Sequence, residues 1–194
     1  MANVFAIHSV GNSIATFLRN SYRKKIDGVT MPECLFEQVS SGELAGNLAD
    51  SPTRITLFLY RVLVNEHSRQ ARRVGATSDQ RAPLNLDLHY LMTAWAGNAL
   101  DEQVTLTWAM RQMHEAPVLD ASSLSPDGGW ARDEVVQIIP AELSTEDLMR
   151  IWDALDPPYR LSVSYVARVV RLDPDAADDS EFRPVVAQRM VYGA

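Results

Sequence analysis

The chain has one cysteine, Cys34, among 194 residues, so no disulfide can form within it and any core must hold by packing alone. It has no apolar run near the ~20 residues that span a bilayer. Its opening, MANVFAIHSVGNSIATFL, is interrupted by His8, Asn12 and Ser13 where a secretory leader would be continuously apolar. The expectation is a protein that folds in the cytoplasm and has no membrane partner. An excess of positive charge is missing too. The net charge of -7 argues against a nucleic-acid partner, whose phosphates demand a basic surface. There is no Gly-rich phosphate loop, no G-x-S-x-G and no H-E-x-x-H, so no cofactor is expected.

What is present suffices for one sizeable core, with 46% hydrophobic residues at this length, and residues 1–194 read as a single domain. Ile7, Val10, Ile14, Phe17 and Leu18 recur at helical spacing, which predicts an amphipathic helix over about 2–22, broken at Asp27-Gly28. CLFEQVS (34–40) reads as a strand and 40–52 as a Gly/Ser/Asn-rich loop. RITLFLYRVLV (54–64) is apolar on both faces: Ile55, Leu57, Leu59 and Leu63 on one, Phe58, Tyr60, Val62 and Val64 on the other. A strand of that kind is covered on both sides and expected to be central. APLNLDLHYLMTAW (82–95) alternates cleanly and is expected to pair with it as a wide hairpin. A helix follows at 101–115, then a strand at 134–139 stopped by Pro140. Ser144 and Asp147 then open another helix that Pro157-Pro158 ends. Strands at 159–172 and 184–192 complete the order. Without regular strand-helix alternation, this predicts an α+β fold with a largely antiparallel sheet packed by about three helices.

Signals for chemistry are weak. Cys34 has no histidine near it in sequence and reads as inert packing. Asp87 and His89 share one strand face, the beginning of a metal or acid-base site, but no third ligand accompanies them. An enzyme built on that face is the alternative reading of function. DPDAADDSE (173–181) approaches a calcium loop, yet Asp178 replaces the turn glycine and Pro184 the closing glutamate. Trp108 and Trp152 are core candidates, while Trp130, after Asp127-Gly128-Gly129, either anchors a partner or tucks against its own domain.

Charge is the more informative feature. Basic residues gather at Arg19, Arg23, Lys24 and Lys25, and again in the excursion from Glu66 to Ala82, which carries Arg69, Arg72, Arg73 and Arg81. Loops that long in compact domains tend to serve a function. Acidic residues gather at Asp173, Asp175, Asp178, Asp179 and Glu181. Arms of opposite sign suit a head-to-tail contact that closes into a ring.

Three segments carry a resemblance: LFLYRV-x-x-N (57–65), PLxLDLHYL (83–91) and IW-x-AL-x-x-PYRLSVSY (151–165). With them the chain resembles, over nearly its whole length, the tail-terminator or cap proteins of contractile injection systems of the virulence-cassette and antifeeding-prophage kind. The resemblance implies a structural, non-catalytic role: a homo-oligomeric ring, typically six-fold, on the end of an inner tube, which stops tube growth and holds the last layer of sheath. It also implies localisation in a phage-tail-like particle after synthesis in the cytoplasm. Some relatives carry a long C-terminal extension, whose role is expected to be absent here. The expected contact residues are Arg69, Arg72, Arg73 and Arg81, with Asp175, Asp178 and Asp179 as counterparts. A second expected contact is the final strand, 185–192, with Val185, Val191 and Tyr192, whose backbone can pair with a strand from a sheath subunit.

Overall fold

The computed structural model describes residues 2–26, 28–46, 48, 52–65 and 83–173. Helix α1 (Ala6–Ser21) buries Ala6, Val10, Ile14 and Leu18 as one stripe. A two-stranded hairpin, β1 (Lys25–Ile26) and β2 (Val29–Thr30), turns at Gly28, whose φ of 82° suits the absence of a Cβ. Then follow β3 (Cys34–Val39), α2 (Ser41–Ala45), β4 (Thr53–Val64) and β5 (Leu84–Trp95). The chain continues with α3 (Ala99–Glu115), β6 (Val118–Asp120), a 3-10 turn at Pro126–Gly128, β7 (Val135–Pro140), α4 (Thr145–Asp153) and β8 (Ser162–Leu172).

Six strands form one sheet in the order β3-β4-β5-β8-β7-β6; β3 runs parallel to β4 and the other pairs are antiparallel. The alternation of β5 divides two apolar clusters between the two faces. Leu86, Leu88, Tyr90, Met92 and Ala94 point into a core shared with α1 and α3. Leu91 and Trp95 point the other way, onto Leu44 of α2 and Trp152 of α4. Mixed helices on a mostly antiparallel sheet is the class expected from the sequence, and the wide β4-β5 hairpin forms as read.

Some local expectations are corrected. The loop read at 40–52 contains α2, nucleated by a capping box: Ser40 Oγ accepts from the Glu43 N–H at 3.3 Å, and the Ser40 N–H donates to Glu43 Oε2 at 2.7 Å. With α2 the described residues hold four α-helices rather than three. β6, three residues long, had no periodic signal to reveal it. β4 is covered on both sides only in its first half. Its partner β3 ends at Val39, opposite Phe58, because Ser40 turns the chain into α2. Beyond Phe58, β4 therefore pairs with β5 alone among the described strands. A β-bulge also reverses the facing predicted for its second half: Leu59 lies opposite Tyr90, yet Arg61 lies opposite His89. The extra residue puts Val62 and Val64 on the face of Leu57 and Leu59, and Leu63 on the opposite face, beside Asp87.

Candidate functional site

No described part of the surface has the form of a reaction centre; three features have the form of contacts. The first is the outer half of β4. Val62, Leu63 and Val64 are 43%, 36% and 52% exposed, with Leu84 at 46% on the neighbouring strand. From Leu59 to Val64 no described strand occupies the outer edge of β4. Where β3 stops and this edge begins, a notch of about 480 Å³ opens between His8, Gln38, Ser40, Glu43, Phe58 and Leu59. The carbonyl oxygen of the Gln38 side chain is buried there with no hydrogen-bond partner. An edge that is apolar and open is a template for strand addition.

The second is the face of Asp87 and His89. The structure does bring these two together, along with Arg61 opposite His89 and Leu63 opposite Asp87. Both carboxylate oxygens of Asp87 accept from Asn65 Nδ2, at 3.0 and 3.1 Å. His89 meets the Tyr60 ring edge-on at 5.9 Å. Burial first, then the Arg61 guanidinium, holds His89 below the usual imidazole range, against the pull of Asp87. The imidazole thus packs on Tyr60, on a strand pair that sets Arg61 opposite it. Among the described residues no three His, Cys, Asp or Glu side chains are grouped to hold a metal ion. Cys34 is equally unsuited to chemistry: burial, only partly offset by a backbone hydrogen bond at Ile55 and by Arg54, pushes its thiol up to about 12.

The third feature is a basic cavity of about 470 Å³ at the C-terminal end of α1. Arg23 and Lys25 come from the turn after α1, and Trp108, Arg111 and Gln112 from α3. Tyr22 locks the two elements together: its hydroxyl donates to the Pro32 carbonyl at 2.7 Å, and its ring meets Phe36 and Trp108 edge-on at 5.2 and 4.7 Å. The sequence shows the cluster from Arg19 to Lys25 but not that Arg111 joins it. The available signal was Arg111 three residues after Trp108, on the next turn of one helix. Arg19 itself is used differently, donating to the Phe36 carbonyl at 2.6 Å. Trp130 is tucked against its own chain, its indole N–H donating to Ser9 Oγ at 2.9 Å.

The expected contact residues Arg69, Arg72, Arg73, Arg81, Asp175, Asp178, Asp179, Val185, Val191 and Tyr192 lie outside the described residues. The roots of their segments are described. Asn65 N–H donates to the Asn85 carbonyl at 2.8 Å, so the β4-β5 pairing extends to the base of the basic excursion. Asp173, where the acidic run begins, is fixed by its N–H to the Ala2 carbonyl at 3.2 Å and by its carboxylate to Arg171 at 3.0 Å.

A family model described as the Pvc16 N-terminal domain matches residues 9–187. The fold is similar to that of the PVC sheath/tube terminator of an extracellular contractile injection system, seen by cryo-EM in its extended state. The TM-score is 0.56 at 18% identity, over 97% of this chain and 64% of that one. It is similar also to the cryo-EM structure of the anti-feeding prophage cap, a tube-terminating cap. Here the TM-score is 0.53 at 16% identity, over 94% of this chain and 60% of that one. This chain therefore spans less than two thirds of the length of either, and at these identities the likeness is one of fold. Comparison with curated proteins gives no match.

Proposed function

We propose that this chain, which belongs to the Pvc16 N-terminal domain family, is a non-catalytic cap that ends the tube of a contractile injection particle and holds the last sheath layer. The observation that carries this reading is the agreement of family and fold over nearly the whole chain, 97% of it in the comparison with the sheath/tube terminator. In this reading residues 1–194 act as one unit, and copies of it form a ring, six-fold as in the family resembled. The ring sits on the inner tube and meets the sheath, with no nucleic acid and no membrane involved. The chain is made in the cytoplasm and leaves with the particle. The basic excursion, with Arg69, Arg72, Arg73 and Arg81, reaches a neighbouring subunit from the end of a rigid two-stranded base. The open edge of β4 and the segment 185–192, with Val185, Val191 and Tyr192, are sites at which strands of adjoining subunits pair. The geometry favours no enzyme: Asp87 is bound to Asn65, and His89 stands beside Arg61.

Deletion of the gene in its host, with a complemented control, tests the reading by electron microscopy of particle length. Tubes of irregular length, or tubes that lose their sheath, restored by complementation, are expected. Particles of normal length and sheathing would overturn it.

A further inference from the structure

The basic cavity and the acidic run are placed for each other, but not within one molecule. Helix α1, 16 residues long, measures about 24 Å at 1.5 Å per residue. The cavity lies at its C-terminal end, lined by Asn20, Arg23 and Lys25. The acidic run is rooted at the other end, where the Asp173 N–H bonds the carbonyl of Ala2, four residues before α1 begins. An extended chain advances at most ~3.4 Å per residue. Asp175 and Asp178, two and five residues beyond Asp173, thus reach no farther than about 7 and 17 Å from the root. Most of the acidic charge cannot arrive at the cavity of its own chain.

The cavity nevertheless calls for an anion-rich occupant. Arg23, Lys24 and Lys25 are exposed, and among the described residues none of the three has an ion-pair partner. The hairpin holds their backbone in place through the Met31 N–H, which donates to the Lys24 carbonyl at 3.0 Å, and through the Lys25–Thr30 and Ile26–Val29 pairs. Arg111 lines the same cavity from α3, with Glu115 3.7 Å from its Nε. The walls are rigid because Trp108 is 5% exposed and wedged against Tyr22 and Phe36. Beyond Asp173, Asp175, Asp178, Asp179 and Glu181 are opposite in sign to Arg23, Lys25 and Arg111 of the cavity and to Lys24 beside them.

We propose that this cavity is the seat for the acidic segment 173–181 of a second copy of the chain, an ionic head-to-tail contact along the direction of α1. The root of the acidic segment and the cavity lie at opposite ends of α1, so the contact is heterologous: each copy gives its acidic segment to one neighbour and receives that of the other. Such a contact propagates, and it closes into a ring where the rotation per copy permits. It rests on the cap reading only for the place of that ring in a particle. Formation between exposed charges makes it weaken steeply as salt rises.

The sequence provides an unusually direct test. Lys24 and Lys25 are the only lysines in the chain. A water-soluble carbodiimide joins carboxylate to amine, so within this chain lysine amides can form only at Lys24, beside the cavity, and Lys25, in its lining. Purified full chain at low salt and isolated particles are both treated, separated under denaturing conditions and digested for mass spectrometry. The expected result is a ladder of covalent oligomers whose linked peptides join Lys24 or Lys25 to Asp175, Asp178, Asp179 or Glu181. Lys24→Arg/Lys25→Arg keeps the charge and removes the amines; it should abolish the ladder and preserve assembly. Lys24→Glu/Lys25→Glu should lower assembly at least tenfold, and adding Asp178→Lys/Asp179→Lys should restore it. Links confined to one chain, links to the carboxylates of α4, or no link in either preparation would overturn the contact. Absence of the ladder from particles whose length still depends on the gene leaves the cap reading standing and this contact refuted. A ladder in the purified chain, with normal particles in the deletion host, does the reverse.

Discussion

Ser9 is completely buried, yet its hydroxyl makes two long-range bonds, donating to the Ser125 carbonyl at 2.8 Å and accepting the Trp130 indole N–H at 2.9 Å. One turn on, Ser13 Oγ accepts from the Ser125 N–H at 2.7 Å. The loop after β6 is thus fastened to α1 by polar groups that have no water to fall back on. Ser9→Ala strands a carbonyl and an indole N–H, and urea denaturation should show a loss of about 1–3 kcal/mol. His89 carries a pH dependence whose sign follows from its surroundings: Tyr60 and Arg61 on β4, Asp87 on its own strand and Val166 across on β8. Its proton affinity is lower folded than unfolded, so the unfolded chain takes up the extra proton. Its contribution is intact above the ordinary imidazole value, about 6.5, and is lost as pH falls through that value toward the lower folded one. Urea midpoints measured from pH 8 to 5 should fall less in His89→Gln than in the parent.

At the scale of elements, α4 is held by one side chain above the others. Trp152, 4% exposed, meets Trp95 at a tilt with ring centroids 6.1 Å apart and lies in the smaller apolar cluster with Leu44, Leu91 and Val39. Trp152→Ala should cost about 3–5 kcal/mol, measured by denaturation and by the fluorescence of Trp95. The same cluster explains why α4 and the first half of β4 were legible in the sequence: Leu148, Ile151, Trp152 and Leu155 keep a helical period, and Phe58 and Tyr60 pack against them. The second half of β4 was misread for two local reasons. A run apolar on both faces reads as central, but whether a neighbour lies along it depends on where β3 ends, and a capping box ends it. Alternation counted along one strand also cannot register a bulge, which exists only as a mismatch between two strands.

For the whole molecule the decisive quantity is the placement of charge. A net charge of -7 disfavours unspecific association of copies, while in the proposed assembly the basic and acidic segments would select one orientation of contact. Arg72→Glu/Arg73→Glu should stop incorporation into particles, scored by electron microscopy, with a thermal midpoint within experimental error of the parent because the run around them has almost no apolar residue to bury. Normal incorporation of that variant would remove the excursion from the assembly contacts. The same residues in a fold without a spare edge or a cavity would be an ordinary solvated surface. The assembly reading rests on where the sheet and α1 put the roots of these segments, Asn65 and Asp173, and the cluster of Arg23 and Lys25.

The sequence by itself determined the α+β class, the β4-β5 hairpin and the helices α1, α3 and α4, because hydrophobic period and turn residues are local quantities. It also showed that charges of opposite sign are segregated along the chain. Only the tertiary structure decided that no described strand lies along the outer half of β4, that Arg111 comes beside Arg23 and Lys25, and that Asp87 meets Asn65 while His89 meets Tyr60. Those outcomes depend on which distant segments pack together, through the Tyr22 contacts with α3 and the register of β5 against β4, and a one-dimensional pattern does not encode that choice.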